Sequence, residues 1–307
     1  MASLKMKVLI TGGLGFIGSH VTEWFVKEGY DVTVIDGCFS YSHREILDGS
    51  FKFINADLAQ EDAWRLIVDA DPEYIIHMAA MTDVDYALAN PRLTIENNVD
   101  CTLNVFKAAK RLKNLEKLLY VNTDEVYGEC EYPKSEEELL FPRNPYSASK
   151  AMCSFIRTSF DTSYEPLKDK TAEVRMCNIF GPRQDTRKIL PLLLHAVKTG
   201  DAIPLQEGGA GYREYLHVSN VAPALQLVLE RGNRVFNLTA EECFTVKELI
   251  KTVEEITGVK INTFPALRPS MDRWYRMDNS RIKELGWHPE ISFMNGLVRY
   301  IQDEKVV

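Results

Sequence analysis

The sequence predicts an α/β fold, a doubly wound parallel sheet followed by a smaller C-terminal α/β lobe. Two patterns indicate this. Short segments that are almost continuously apolar alternate with segments of helical periodicity over residues 1–180. Uninterrupted apolar strands are typical of a parallel sheet that is covered on both faces. A glycine-rich loop also separates the first predicted strand from the first predicted helix, which is where doubly wound sheets bind phosphate groups.

The first part of the chain contains six predicted strands. Between the first two, Ile17, Val21, Trp24 and Phe25 recur at helical spacing, and Gly29 ends that helix. This alternation of strand and helix predicts the doubly wound sheet. The predicted strands are Lys7–Thr11, Val32–Asp36, Phe51–Asn55, Tyr74–Met78, Leu118–Asn122 and Val174–Asn178.

The pattern changes after Gly181, where loops rich in glycine, proline and charge interrupt short elements. Glu214–Val218 and Val235–Leu238 are predicted strands that either return to the main sheet or form a small second sheet. Thr245–Thr257 and Phe293–Asp303 have the pattern of amphipathic helices. We therefore expect a first domain over residues 1–180 that also takes in about 214–240. A second lobe is expected over 181–307, with a discontinuous boundary.

Composition excludes several classes of protein. Of the 307 residues, 45% are hydrophobic and 26% charged, which is typical of a globular protein. The net charge of −8 leaves no broad basic face for duplex nucleic acid. No apolar run approaches the roughly 18–20 residues of a membrane span, and the apolar stretch near the N-terminus is too short for a signal peptide. The six cysteines form no CxxC pair, so we expect free thiols, no metal centre and a cytoplasmic protein.

The glycine-rich loop, TGGLGFIG at residues 11–18, has the spacing of a dinucleotide-binding fingerprint. Gly12 permits the tight turn, Gly15 lets the backbone approach a pyrophosphate, and Gly18 lets helix and sheet pack closely. The N–H groups at the start of the helix, which include those of Phe16 and Ile17, offer partial positive charge to the phosphates.

Asp36 ends the second predicted strand, at the distance from the loop where such folds place a ribose-binding carboxylate. A carboxylate there accepts hydrogen bonds from the ribose hydroxyls and repels a 2′-phosphate. The sequence therefore predicts NAD rather than NADP as the cofactor.

A second pattern is Tyr146 followed by Lys150, a spacing that puts both side chains on one helix face. An ammonium beside a phenol is expected to lower the phenol pKa from about 10. The phenolate then acts as a base toward a substrate hydroxyl. Together with the glycine loop, this pair makes the chain resemble the extended short-chain dehydrogenase/reductase family over essentially its whole length. The resemblance implies a Rossmann domain that binds NAD. It also implies that Asp57, Leu58, Ala79 and Ala80 belong to the cofactor-binding residues.

A third pattern, TDEVYG at residues 123–128, follows the fifth predicted strand. Ligands in such folds bind at the carboxyl ends of the strands. Most of the superfamily has a Ser or Thr at the position of Thr123, but adjacent carboxylates such as Asp124 and Glu125 are much rarer. The segment resembles the NDP-hexose 4,6-dehydratases, best known from those that act on dTDP-glucose.

This resemblance implies a lyase reaction in deoxysugar biosynthesis. Tyr146 removes the proton of the C4 hydroxyl, whose oxygen Thr123 hydrogen-bonds, while NAD takes the C4 hydride. Glu125 then removes the C5 proton, and protonated Asp124 donates to the C6 oxygen so that water leaves. The hydride returns to C6 and yields an NDP-4-keto-6-deoxyhexose. One carboxyl must be acid and its neighbour base near neutral pH, so their surroundings must separate their pKa values.

Later segments match the parts of this family that hold the nucleotide sugar. Arginine suits bidentate recognition of a diphosphate. NIFGPR at 178–183, RKILP at 187–191, REY at 213–215 and RP with DR at 268–273 are the matching segments. The substrate-binding residues implied are Asp83, Thr123, Asn178, Lys188, Arg213, Arg268 and Asp272.

Three departures from the family pattern leave the substrate open. Dehydratases of dTDP-glucose usually have Glu-Ser-His where this chain has Met81-Thr82-Asp83, Glu where it has Arg187, and His where it has Met271. UDP-glucose and UDP-GlcNAc are therefore expected candidates beside dTDP-glucose. Dehydratases that also invert C5 usually carry Lys at the position of Glu125, which favours retention and leaves C5 epimerisation open.

Other functions stay open from the sequence. A UDP-sugar 4-epimerase or a UDP-glucuronate decarboxylase shares most of these motifs, and Asp124 is the residue that discriminates against both. A catalytically silent NAD-binding scaffold is a more remote alternative. The resemblance also implies a homodimer in which the Asn98–Leu112 and Tyr146–Tyr164 helices pair across a two-fold axis. The apolar residues that either line this interface or face the sheet are Val105, Phe106, Ala109, Phe155 and Phe160.

Overall fold

A computed structural model describes residues 5–39, 42–46, 48–267 and 272–306. The predicted substrate ligand Arg268 lies outside these described residues. Within them the strands are β1 (Lys7–Thr11), β2 (Asp31–Asp36), β3 (Lys52–Asn55), β4 (Tyr74–His77), β5 (Lys117–Thr123), β6 (Thr171–Met176), β7 (Asn178–Phe180), β8 (Ile203–Gln206), β9 (Tyr212–His217), β10 (Val235–Leu238), β11 (Cys243–Thr245) and β12 (Thr263–Ala266).

The helices alternate with these strands in the first part of the chain. They are α1 (Phe16–Lys27), α2 (Trp64–Ala70), α3 (Val84–Ala89), α4 (Pro91–Ala109), α5 (Pro145–Ser163), α6 (Ile189–Thr199), α7 (Val221–Arg231), α8 (Val246–Thr257), α9 (Ser280–Glu284) and α10 (Phe293–Asp303). No helix in the described parts of the chain is long and apolar enough to cross a membrane.

The predicted doubly wound sheet is confirmed. Seven strands pair in the order β10-β6-β5-β4-β1-β2-β3, and every pairing between neighbours is parallel. The chain runs outward from β1 in one direction through β2 and β3 and in the other through β4, β5 and β6. The reversal lies between β1 and β4, and a doubly wound sheet binds its ligand at that point, beyond the carboxyl ends of the strands.

The structure settles where the later strands go. β10 joins the main sheet beside β6, whereas β9 lies in a small sheet of order β11-β9-β7. The predicted strand Val174–Asn178 is wrong, since β6 ends at Met176 and β7 begins at Asn178. Cys177 between them donates its N–H to Leu238 O at 3.1 Å as the chain leaves the main sheet. Buried apolar residues lie on both sides of Cys177, with Val174 and Met176 before it and Ile179 and Phe180 after it, so no turn signal in the sequence marks the break.

Helices cover both faces of the main sheet. On one face α1 and α7 pack together, and on the other α2, α4 and α5 do so. Val105, Phe106 and Ala109 of α4 are completely or almost completely buried in this second layer. They therefore face the chain's own sheet. Their predicted place at a dimer interface is wrong, and the alternative, that they pack on the sheet, is confirmed. Within the chain, α4 and α5 also pack against each other, and the rings of Phe106 and Phe160 lie 5.4 Å apart.

The C-terminal part has an apolar core of its own. α6, α8 and α10 pack around the small sheet through buried side chains such as Phe180, Leu249 and Phe293. The carboxyl ends of β1, β4 and β5 and the loops of this second lobe lie on either side of the candidate site described next.

Candidate active site

The glycine loop between β1 and α1 is built to receive a phosphate. Gly12 has φ = +69°, the left-handed region that favours glycine, and a Cβ atom on Gly18 would lie 1.9 Å from Gly12 O. Gly15 occupies the N-cap position of α1, and no side chain caps that helix. Because the N–H groups of the first turn have no partner within the helix, they remain available to a phosphate group. The residues here fit a dinucleotide.

The residues predicted around the rest of the cofactor lie along the same edge of the sheet. Asp36 at the end of β2 accepts hydrogen bonds from Leu14 N (3.0 Å) and Cys38 N (2.8 Å), which ties its carboxylate to the glycine loop. Asp57 and Leu58 follow β3, and Ala79 and Ala80 follow β4. Ala79 packs against the loop closely enough that a Cβ on Gly12 would lie 2.8 Å from its nitrogen.

Thr123, Asp124 and Glu125 lie in a tight turn directly after β5. We call residues 123–127 the catalytic turn; it is a single 3-10 turn over Asp124–Tyr127. Thr123 caps it, since its Oγ1 accepts a hydrogen bond from Glu125 N at 3.3 Å. The same hydroxyl donates to Asp124 Oδ1 at 3.0 Å. The turn therefore holds two adjacent carboxyl groups at the carboxyl end of a central strand.

The two carboxyl groups have different surroundings. Asp124 is only 4% exposed, and its Oδ2 has no hydrogen-bond partner among the described residues. Burial and the neighbouring charge of Glu125 raise the pKa of Asp124 to about 8, so this carboxyl is protonated at neutral pH. Glu125 is half-buried, and its Oε2 accepts a hydrogen bond from Asn144 Nδ2 at 2.8 Å. The arrangement provides a proton donor beside a proton acceptor.

Helix α5 brings Tyr146 to this turn. Asn144 caps the helix, because its Oδ1 accepts from Ser147 N at 2.8 Å while Ser147 Oγ accepts from Asn144 N at 3.2 Å, and Pro145 occupies the first helical position. Tyr146 therefore lies in the first turn of α5, and its phenol hydrogen-bonds Thr123. Sequence analysis missed Asn144, although Asn-Pro before a helical pattern is a recognisable N-cap signal.

The expected effect of Lys150 on Tyr146 is not what the structure shows. Burial and the charges of Glu125 and Asp124 raise the pKa of the Tyr146 phenol well above its usual value. Lys150 is buried one helical turn below, where its Nζ donates to Val121 O at 2.8 Å. Burial lowers the pKa of Lys150 to about 8. In the chain by itself, burial and the two carboxyl groups therefore set the direction of the shift in the Tyr146 pKa, against the hydrogen bond with Thr123, which lowers it.

The predicted substrate residues Arg213 and Asp272 lie next to each other. Arg213 on β9 donates to Asp272 O at 2.6 Å, and its guanidinium lies 4.4 Å from the ring centre of Tyr275. Asp272 is buried, pairs with Arg143 (Oδ1–Nη1 2.8 Å) and accepts a hydrogen bond from the Tyr275 hydroxyl. Its carboxylate is therefore committed to protein groups and not free for a nucleotide. Asn178 begins β7.

Tyr275 is a residue near the site that no sequence pattern indicated. Burial raises the pKa of its phenol, and the charge of Glu125 adds to the rise, which places Tyr275 near the catalytic turn. Its position depends on a chain segment more than a hundred residues away from Glu125 in sequence.

Two departures from the dehydratase pattern meet in the structure. Asp83 caps α3, with Oδ1 accepting from Tyr86 N at 3.0 Å, and its Oδ2 pairs with Arg187 Nη1 at 2.5 Å. Lys188, next to Arg187, is exposed at the N-cap of α6. The pair joins a helix of the first domain to a loop of the second lobe.

Comparison with known proteins identifies the family. The family described as NAD dependent epimerase/dehydratase matches residues 8–239 of this chain, well over half of its length. The chain belongs to this family. It is an enzyme of the NAD-dependent sugar-nucleotide epimerase/dehydratase type, an extended short-chain dehydrogenase/reductase as the motifs indicated.

A trifunctional plant enzyme is among the relatives of this chain. The trifunctional UDP-glucose 4,6-dehydratase/UDP-4-keto-6-deoxy-D-glucose 3,5-epimerase/UDP-4-keto-L-rhamnose-reductase RHM3 of Arabidopsis thaliana is 31% identical over 315 residues. That alignment covers 97% of this chain and 47% of RHM3, so the chain spans about half the length of that relative.

Two solved structures of the family share the fold closely. UDP-glucose 4-epimerase of Thermus thermophilus, in complex with NAD, has a TM-score of 0.92 at 28% identity, covering 98% of this chain and 99% of that one. The dTDP-glucose 4,6-dehydratase DesIV of Streptomyces venezuelae, with NAD bound, has a TM-score of 0.90 at 28% identity, covering 98% and 97%. The cofactor of this chain is NAD, as the fingerprint predicted.

Asp36→Ala is expected to weaken NAD binding about 10- to 100-fold, the usual cost of losing hydrogen bonds to a charged group. Calorimetry of NAD binding measures this, with Asp31→Ala as the control, since Asp31 is an exposed carboxylate at the other end of β2. The unchanged chain should bind NADP poorly. Equal affinities for NAD and NADP would show that Asp36 does not select the cofactor.

Proposed function

We propose that this enzyme is an NDP-hexose 4,6-dehydratase that converts a nucleotide-bound hexose into its 4-keto-6-deoxy derivative. The observation that carries the proposal is the state of Asp124. One oxygen of its buried carboxyl accepts a hydrogen bond from Thr123, and the other has no hydrogen-bond partner among the described residues. Burial and the charge of Glu125 raise the pKa of this carboxyl to about 8. Loss of a poor leaving group such as hydroxide needs a proton donor, and oxidation or reduction at C4 alone does not.

The proposed roles follow from the contacts of each side chain. Tyr146 removes the C4 hydroxyl proton, and Thr123, already hydrogen-bonded to that phenol, holds the C4 oxygen. Glu125, steadied by Asn144, removes the C5 proton that the neighbouring 4-ketone acidifies. Asp124 gives its proton to the C6 oxygen. NAD, held by the glycine loop and Asp36, would supply the hydride chemistry of the reaction, as acceptor for the hydride of C4 and as donor to C6.

The proposed division of labour follows the two parts of the chain. Residues 1–180, together with α7 and β10 of the main sheet, bind NAD through the glycine loop, Asp36 and the segments after β3 and β4. Residues 181–307 bind the nucleotide sugar, with Lys188, Arg213 and Arg268 toward its diphosphate and nucleotide. Asn178, which lies just before this part of the chain, joins them. Asp272 contributes by holding Tyr275 and Arg143.

The Asp83–Arg187 ion pair bears on the substrate. Both residues stand where dTDP-glucose dehydratases usually carry other side chains, and here they compensate each other's charge. We therefore propose UDP-glucose and UDP-GlcNAc as candidates equal to dTDP-glucose. Glu125 as the base favours a product that retains the C5 configuration.

The test is incubation of the purified enzyme with dTDP-glucose, UDP-glucose and UDP-GlcNAc, with products identified by NMR. A 4-keto-6-deoxy product that carries a new C6 methyl signal supports the proposal. A C4 epimer without that methyl signal would contradict it and would identify a 4-epimerase, the activity of the Thermus structure. A parallel incubation with UDP-glucuronate tests the remaining alternative: carbon dioxide and a UDP-pentose product would contradict the proposal and identify a decarboxylase.

We further propose a homodimer formed through the outer faces of α4 and α5. With Val105, Phe106 and Ala109 inside the core, the large apolar side chains that stay exposed on these helices and at the end of α5 are Leu93, Leu103, Met152, Phe155 and Tyr164, and Phe155 is 64% exposed. An exposed apolar patch of this kind marks an association surface. Phe155→Glu is expected to convert the dimer to monomer in sedimentation, whereas Phe264→Glu, an exposed Phe of the second lobe, should leave it dimeric. A monomer at micromolar concentration before any substitution would refute the dimer.

All six cysteines are free of disulfides, although four of them are buried. Free thiols persist in reducing compartments. This supports the proposal of a cytoplasmic enzyme.

A further inference from the structure

A completely buried carboxylate lies beneath the candidate active site. Glu173 on β6 has no exposed surface. Its Oε1 accepts hydrogen bonds from Asn122 Nδ2, Ser154 Oγ and Arg175 Nε, each at 2.8 Å. Its Oε2 accepts from Arg157 Nε at 3.3 Å. This one side chain therefore contacts β5, α5 and its own strand.

Two of these contacts lead to the catalytic turn. Asn122 comes directly before the turn, and its Oδ1 accepts from Thr123 N at 2.9 Å. Arg175 Nη1 donates to the hydroxyl of Tyr127, the last residue of the turn, at 2.7 Å. The carboxylate of Glu173 is thus connected to both ends of the segment that carries Asp124.

The other two contacts lead to the helix that carries Tyr146. Ser154 and Arg157 lie one and two turns after Lys150, at helical spacing that puts them on the same face of α5. Glu173 therefore holds α5 on the face from which Tyr146 and Lys150 project.

A buried charge of this kind is not required for stability. Taking an ionised carboxylate out of water is costly, and well-packed apolar residues often stabilise a core equally well. The pKa of Glu173 stays lowered despite its burial, which opposes ionisation, because Arg175 and Arg157 neutralise it and Asn122 donates to it. The charged groups that act on it include Arg175 from its own strand and Arg157 from α5, and the buried ammonium of Lys150 on α5 also feels the charge of Glu173.

We propose that Glu173 is a positioning residue that fixes the catalytic turn, with Thr123, Asp124 and Glu125, at its working distance from Tyr146 and Lys150. The inference rests on the proposed roles of those five residues. It applies equally to dehydration and to epimerisation, because each begins with the C4 oxygen between Thr123 and Tyr146. Glu173 itself touches no substrate.

The test shortens the side chain while keeping its charge. Glu173→Asp cannot reach all four donors, so the turn and α5 should shift relative to each other. We expect kcat to fall about 100-fold, the cost of a misplacement of about 1 Å, while KM for the nucleotide sugar changes little. The control is Glu242→Asp, a partly buried carboxylate of the second lobe whose Oε2 accepts a hydrogen bond from Phe293 N of α10 at 2.7 Å. It should leave kcat unchanged.

A second variant guards against loss of folding. Ser154→Ala removes one of the two α5 contacts of Glu173, together with the hydrogen bond that Ser154 Oγ accepts from Asn122 Nδ2 at 2.8 Å. It leaves the Arg157 contact in place and should lower kcat in the same direction with a smaller effect. A lower Tm with the kcat of the unchanged enzyme, in Glu173→Asp or, if that variant does not fold, in Ser154→Ala, would overturn the proposal and leave Glu173 a purely structural residue.

Amide hydrogen exchange provides a readout that needs no substrate. Faster exchange at residues 123–127 and at the start of α5 in Glu173→Asp, with global stability like that of Glu242→Asp, supports the positioning role. Exchange that is unchanged there contradicts it. If the unchanged enzyme turns over none of the three nucleotide sugars, the proposed function fails, and hydrogen exchange still decides the role of Glu173.

Discussion

Asp124→Asn is expected to oxidise its substrate and then stop before water is lost. Asparagine keeps the size of the side chain and its contact with Thr123 but has no acidic proton. Oxidation at C4 depends on Tyr146 and NAD and should survive. Departure of the C6 oxygen should slow about 10²–10⁴-fold, the usual worth of general acid catalysis. Reduced cofactor should therefore accumulate on the enzyme, visible in its near-ultraviolet absorbance, while product formation lags.

The pH dependence gives the same prediction an independent check. Because burial and Glu125 raise the pKa of Asp124 to about 8, the donor is protonated below that pH and loses its proton above it. Elimination should fall as pH rises through about 8, and this loss should disappear in Asp124→Asn, whose slow elimination no longer depends on that proton. Lys150, whose pKa burial lowers to about 8, titrates in the same range. Oxidation and elimination must therefore be followed separately.

Glu125→Gln is the companion variant for Asp124→Asn. It should also stall after oxidation, but for lack of a base, and it should suppress exchange of the C5 proton with solvent, whereas Asp124→Asn should retain that exchange. If Asp124→Asn made product at the rate of the unchanged enzyme, the dehydratase proposal would lose its main support. An epimerase would then be the better conclusion, since epimerisation loses no water.

Tyr146→Phe is expected to block the reaction at its first step. In the proposed mechanism the phenol takes the C4 proton, and phenylalanine keeps the ring without the hydroxyl that contacts Thr123. Turnover should fall about 10²–10⁴-fold, and neither reduced cofactor nor a keto sugar should accumulate. This absence of a reduced cofactor distinguishes Tyr146→Phe from Asp124→Asn.

The control for this experiment is Tyr300→Phe, which removes another buried phenol, on α10 in the second lobe. It should react at the rate of the unchanged enzyme. Calorimetry should find NAD still bound in Tyr146→Phe, so that the loss concerns chemistry and not cofactor retention. Near-normal turnover of Tyr146→Phe would remove Tyr146 from the catalytic groups.

Local sequence patterns were sufficient for the elements that carry the site. β1 and β10 have the bounds that the sequence predicted, and β2 to β5 differ by one residue at one or both ends. These strands are short apolar runs closed by glycine, proline or polar residues, so their pattern is visible without any knowledge of the neighbours. The break at Cys177 was invisible because the residues on both sides are buried in two different sheets.

In the candidate site, too, some features are visible in the sequence and others only in the tertiary structure. The glycine loop, the catalytic turn and the Tyr146–Lys150 pair are each contained in a few consecutive residues, so the sequence by itself determined them, together with NAD as the cofactor. What only the tertiary structure decided are contacts between distant segments. Asn144 reaches Glu125, Arg187 meets Asp83, and Glu173 joins β5 to α5.

The electrostatics of the site were also decided only by the tertiary structure. A pKa depends on burial and on every charge nearby, and neither is a property of adjacent residues. The sequence could place Lys150 one turn after Tyr146, but it could not show that burial and two carboxyl groups raise the pKa of that phenol. For Asp124 the sequence and the structure agree: the family resemblance implied that Asp124 is the acid and Glu125 the base. The fold supplies the physical reason, because it buries Asp124 beside the charge of Glu125 and leaves Glu125 in contact with Asn144.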